Sequence, residues 1–97
     1  MDQRVGPLGP RRRHMSVRIT WDVSKHRLNL EKHGLDFGIV TLDFVLDAIV
    51  RPAKQGRLQA IGEIDGKAVS LIFSLLGTEA ISLISLRAAS ERGRALL

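Results

Sequence analysis

Lys25, Asn29, Lys32 and His33 recur at spacings of four, seven and eight residues, which on a helix gathers them on one face. Two ammonium groups, an amide and an imidazole placed together could grip a phosphate and move a proton, because imidazoles in general titrate near neutrality. The same pattern also describes an ordinary solvated helix face. His33 stands directly before Gly34, where it could equally touch the last carbonyls of that helix. Arg57 opens one apolar stretch and Arg87 closes another. A guanidinium at a strand end suits two-pronged contact with phosphate, although a salt bridge to Glu63 or Glu91 would explain either arginine as well. Trp21 is the single tryptophan. It could stack on a base, but a lone Trp at a strand end is more often packed against the core.

The elements that must position these groups follow from pattern. Val17–Trp21 alternates apolar and polar residues and reads as a strand. Asp22 offers a carboxylate to cap a helix from Val23 to His33, which stops at Gly34. Asp36 caps a second helix, whose Phe37, Val40, Thr41, Phe44 and Val45 form an amphipathic stripe. Ala48–Arg51 is a short strand ended by Pro52, and residues 53–56 form a loop. Arg57–Ile64 and Lys67–Leu75 flank Asp65-Gly66, a strong hairpin signal. A last strand runs from Ala80 to Arg87, and Ala88–Leu97 forms a short terminal helix. The expected fold class is α+β: an N-terminal strand and two helices, then an antiparallel meander and a short C-terminal helix.

With 97 residues the chain can bury one modest core. Its 44% hydrophobic and 26% charged content is that of a globular domain. There are no cysteines, which excludes disulfides and thiolate metal sites and fits a reducing, cytoplasmic setting. The three histidines share no metal-ligand spacing, with His14 in a disordered context and His26 in a solvent-facing one, so no metal and no cofactor are expected. Arg4, Arg11, Arg12 and Arg13 against Asp2 account for three of the five net positive charges. Residues 1–14, rich in Pro, Gly and Arg, read as a disordered basic leader, with Met15 opening the folded domain at 15–97. No secretory signal is evident. Ala68–Leu86 carries one charge, Glu79, but Gly77-Thr78-Glu79 splits it into two strand-length pieces. It reads as a hairpin, not a membrane span. So apolar a hairpin in so small a body leaves surface that a partner protein or a second copy could cover.

Thr20-Trp21-Asp22, then Lys25, Asn29, Lys32-His33-Gly34 and Phe37, resemble the opening signature of the BrnT family of bacterial toxins. Arg57, the Ile61-Gly62 step and the run from Ile84 to Ser90 resemble its later part. The resemblance spans residues 18–94. It implies a RelE-like fold and a metal-independent endoribonuclease that blocks translation. It also implies a BrnA-like ribbon-helix-helix antitoxin as partner, through which DNA operator binding is indirect, in a dimer or higher complex. In such chemistry the ribose 2′-hydroxyl attacks the adjacent phosphorus, which calls for a base, a proton donor and positive charge. On this chain the resemblance points to Arg57 and Arg87 for phosphate stabilisation. Lys25, Lys32 and His33 would serve proton transfer or grip, and Asn29, Ser85 and Trp21 substrate binding. All of this requires both arginines to converge with the polar side of the first helix in one pocket.

Three positions depart from the family pattern. Gly56 replaces a Glu, Ser82 an Arg, and Gly93 an acidic residue of the terminal helix. Two other readings therefore stay open: a catalytically degenerate homologue that only binds an antitoxin, and a nonenzymatic nucleic-acid-binding domain.

Overall fold

The computed structural model describes residues 17–97, so the leader expected at 1–14 lies outside the described residues. Strand β1 (Arg18–Trp21) leads into helix α1 (Val23–His33). Helix α2 (Leu42–Asp47), strands β2 (Ile49–Pro52), β3 (Leu58–Ile64), β4 (Lys67–Leu76) and β5 (Ala80–Ala88), and helix α3 (Glu91–Ala95) follow. The sheet order is β1-β5-β4-β3-β2. β2 to β5 form the antiparallel meander, and β1 joins its far edge parallel to β5. The fold is α+β, as the pattern predicts.

Asp65 and Gly66 take φ of 51° and 78°, the pair of left-handed residues that a two-residue turn between twisted strands requires. One sheet face carries the core, in which Phe37, Leu71, Leu83 and Leu86 are fully buried and Phe44 and Phe73 nearly so. On the opposite, outer face Ile61 is also buried, close under Gly93 of α3. β4 buries Val69, Leu71 and Phe73, so the hairpin exposes large apolar side chains only at its tip, Leu75 and Leu76. The broad apolar surface expected over 68–86 is thus confined to two residues.

Two helices differ from expectation. The stripe beginning at Phe37 is broken into a 3-10 turn over Phe37–Ile39 and the separate α2. Val40 is extended, and the Thr41 hydroxyl accepts from Phe44 N at 3.1 Å, starting a new helix. The β-branched run Ile39-Val40-Thr41 favours such a break, while Phe37, Val40 and Phe44 still reach the core. At the C-terminus β5 continues to Ala88, and α3 begins only at Glu91 because Ser90 caps it through Gly93 N. Residues 53–56, expected as a loop, hold a 3-10 turn at Lys54–Gly56.

Phe44 packs on β3 where Gly62 has no side chain; a Cβ there would stand 3.0 Å from Phe44 Cε1 and 3.3 Å from Ala48 Cβ. Gly62→Ala should cost about 1–3 kcal/mol through overpacking. Urea unfolding should show a lower midpoint at unchanged slope, and an unaltered midpoint would mean α2 shifts freely.

Asp22 caps α1 by accepting from the Ser24 hydroxyl and Ser24 N, and these bonds hold its carboxyl below the ordinary carboxylate range. Asp36 is held low by accepting from Gly38 N at 2.6 Å, with His26 Nε2 donating to the same oxygen at 2.9 Å. A carboxyl depressed in the folded state contributes stability that is complete above its unfolded value, about pH 4, and is lost as pH falls through the folded value. The Asp22→Asn/Asp36→Asn double variant keeps capping oxygens but cannot titrate. Its Tm should fall less than the parent's between about pH 4 and pH 2; parallel curves would contradict the assignment.

Candidate active site

The placement of the site depends on an irregularity in β5. Ile72 opposes Ser85 while Phe73 opposes Leu83, which leaves Ile84 as an extra residue. Such a bulge shifts strand alternation by one. Ile81, Leu83 and then Leu86 are buried in the core, whereas Ser85 and Arg87 share the outer face with their partners Ile72 and Ser70. Unbroken alternation would have turned both toward the face of Ile81 and Leu83.

Beyond Trp21, which pairs with Leu83, β1 no longer borders β5. Asn29 of α1 takes over that edge. Its Oδ1 accepts from Leu86 N at 2.9 Å, and its Nδ2 donates to Leu86 O and to Leu35 O, each at 2.9 Å. The side-chain amide thus pairs with the Leu86 peptide as a neighbouring strand would. Asn29 is buried and both its amide hydrogens are spent on backbone carbonyls, so it anchors the floor of the cleft that it lines beside Lys25, Lys32 and His33. Its bonds hold α1 against β5, so that Lys25, Lys32, His33, Ile84 and Ser85 wall a cleft of about 230 Å³.

A second cleft, about 270 Å³, lies on the outer face and is lined by Arg51, Gln59, Ser70, Ser85, Arg87 and Gly93 among others. Ser85 belongs to both clefts. The structure therefore brings Arg87 and the Lys25–Lys32–His33 side of α1 to opposite sides of one serine. Arg57 lines neither cleft. It precedes β3, with its backbone tied to Lys54 and Ala53 in the turn, and neither of the two clefts at Ser85 holds both arginines. The arginine that shares a cleft with Arg87 is Arg51, near the end of a short strand that no motif in the sequence singles out. So short a strand carries no usable alternation; register across the β2–β3 ladder, where Ile49 and Arg51 oppose Ile61 and Gln59, is what puts Arg51 on the outer face.

Trp21 and His26 pack together. The Trp21 ring lies 5.5 Å from His26 and 5.9 Å from Phe37, and His26 stacks on Phe37 at 5.4 Å between centroids. Trp21 is therefore partly buried in a cluster with the core-buried Phe37, the core packing that is the commoner fate of a lone Trp at a strand end. His26 is half-buried with Asp36 as partner, not solvent-facing. Among the described residues no three His, Cys, Asp or Glu side chains are grouped to hold a metal ion. No helix among them is long and apolar enough to cross a membrane.

The family model described as the ribonuclease toxin BrnT of type II toxin–antitoxin systems matches residues 21–93. The crystal structure of the Brucella abortus ribonuclease toxin BrnT is similar at 46% identity and a TM-score of 0.73, covering 77% of this chain and 99% of that one. No curated protein matches the chain.

Removing the Asn29 amide strands the Leu86 N–H and C=O and the Leu35 C=O. Asn29→Leu should destabilise the fold by about 3 kcal/mol or more, since each buried group left unpaired costs about 1–3 kcal/mol. Asn29→Asp, which keeps the acceptor but loses both donors, should also be destabilised. Denaturant midpoints measure this, and full stability of both variants would remove Asn29 from its positioning role.

Proposed function

The chain belongs to the BrnT family of ribonuclease toxins of type II toxin–antitoxin systems, and on that premise we propose that it cleaves RNA without a metal at the junction of the two clefts around Ser85. The observation that carries the reading is that Ser85 lines both clefts, with Arg87 in one and His33, Lys25 and Lys32 in the other.

In the reaction the ribose 2′-oxygen attacks the adjacent phosphorus and the bond from phosphorus to the 5′-oxygen breaks. The products are a 2′,3′-cyclic phosphate and a free 5′-hydroxyl. One proton must leave the 2′-hydroxyl and one must reach the departing oxygen. The His33 imidazole is the group suited to that exchange. Arg87 presents a planar fork to the phosphorane, where charge accumulates, and the Ser85 hydroxyl is a supporting donor. Lys25 and Lys32 grip flanking phosphates. Arg57 stands outside this centre on the near end of β3, and its role on this reading is contact with the RNA strand beyond the cleft.

The biological setting follows from the family. The substrate is cytoplasmic RNA, its cleavage blocks translation, and a BrnA-like ribbon-helix-helix antitoxin neutralises the toxin and supplies any contact with operator DNA. The basic segment 1–14 is proposed as a leader outside the toxin domain at 15–97, and the fold as a RelE-like variant.

The test is cleavage of a single-stranded RNA by the purified protein, with and without EDTA. Cleavage should survive the chelator and leave cyclic phosphate ends. Arg87→Ala should lower kcat about a hundredfold or more, the usual cost of losing one preorganised donor to a developing negative charge. His33→Ala should flatten the pH–rate profile. Loss of activity in EDTA would overturn the metal-free mechanism. A protein that neither cleaves RNA nor arrests growth when induced would overturn the enzyme reading itself.

A further inference from the structure

Arg51, Gln59, Ser70 and Arg87 form a polar strip across four adjacent strands of the outer face. Arg51 Nε donates to Gln59 Oε1 at 3.1 Å, Gln59 Nε2 donates to Ser70 Oγ at 2.8 Å, and Ser70 is the register partner of Arg87. The first bond draws the Arg51 side chain inward from the edge strand while leaving its terminal nitrogens uncommitted. Gln59 in turn is fixed from both ends, its carbonyl on Arg51 and its amide on the nearly buried Ser70.

The cleft over this strip is lined by two guanidiniums and three serines, with no carboxylate. Among the described residues no acidic side chain pairs with Arg51 or Arg87. Two like charges lining one cavity repel each other, and the ligand that relieves this is an anion with several acceptor oxygens. A guanidinium fork matches phosphate in particular.

We infer that Arg51, oriented by Gln59, is a substrate-binding residue that holds the RNA phosphodiester next to the one contacted by Arg87. The inference rests on the ribonuclease reading and extends it to a second phosphate subsite on β2. Arg51 lies across the sheet from the α1 residues that would transfer protons, so it contributes to ground-state and transition-state binding alike. Such uniform binding is read in KM and not in kcat.

The test measures binding of a labelled single-stranded RNA oligonucleotide as a function of salt, together with steady-state cleavage. The proteins compared are the full-length parent, Arg51→Ala, Arg51→Lys, and Arg27→Ala as a charge-matched control on the outer surface of α1. Arg51→Ala should weaken binding and raise KM about tenfold with kcat within about twofold. It should also reduce the slope of log K against log salt by about 0.7, the contribution of one phosphate contact on a single strand. Arg51→Lys should keep the slope and recover part of the affinity. Arg27→Ala should change neither, and unfolding midpoints should match throughout. Wild-type RNA binding and cleavage with Arg51→Ala indistinguishable from Arg27→Ala would sink this subsite alone. A fall in kcat at unchanged KM would also overturn it. A parent protein that neither binds nor cleaves RNA would instead overturn the ribonuclease reading, and the subsite with it.

Discussion

One side-chain amide joins the halves of this molecule. β1 stops at the level of Leu83, and the peptide of Leu86 would face an empty edge if Asn29 did not pair with it. A backbone amide without partners in a buried setting costs as much as a lost hydrogen bond, so α1 is held where it is by the requirement to satisfy that peptide. Apolar burial contributes little to its position: Val23, Leu28 and Leu30 are all exposed, and Asn29 is the buried residue of the helix. The cationic side chains of α1 therefore meet β5 because an amide stands in for a strand.

The bulge at Ile84 has a comparable consequence two residues earlier. It moves Ser85 and Arg87 from the core phase of β5 to the outer face without altering the chain's direction. A polar serine and a guanidinium in the core would be costly to bury, so the bulge and the residue types agree. Together the bulge and the Asn29 amide set Ser85 at the meeting of two clefts.

Much of this was legible in the sequence. The Asp65-Gly66 hairpin, the Gly34 helix stop and the Phe37–Val40–Phe44 stripe are local signals, and local chemistry decides them. Asn29 falls with the cationic residues in the sequence pattern because helical periodicity gives a face but not its direction. When a helix is held by hydrogen bonds, its polar side can be the inner one. The Arg57–Arg87 pairing was set aside for a different reason. Which arginines share a cleft depends on register across four strands, and register rests on pairings between residues far apart in sequence. The phase change in β5 was visible in principle, since Ile81 and Leu83 are followed by Leu86 with no apolar alternation through Ser85. Arg51 was hidden by its short strand, where four residues carry too little pattern to fix a face.

Net charge gives a poor account of how this domain meets a polyanion. Asp43, Asp47, Glu63 and Asp65 wall a cleft of about 530 Å³ between α2 and the end of β3, with no basic residue in its lining. The two clefts at Ser85 have the opposite character, basic and without carboxylates. Screening confines each charge to roughly 8 Å at physiological salt, so a phosphate near Arg87 responds to the guanidiniums beside it more than to the acidic cleft or to the sum over the chain. Segregation of this kind favours one orientation of a bound strand. On the proposed reading the strand's backbone would follow the path from Arg51 over Ser70 to Arg87 and on to Lys25 and Lys32, away from the acidic cleft beside α2. The sheet and the α1 anchor sort the charges of a small domain onto separate surfaces, acidic at α2 and basic at Ser85.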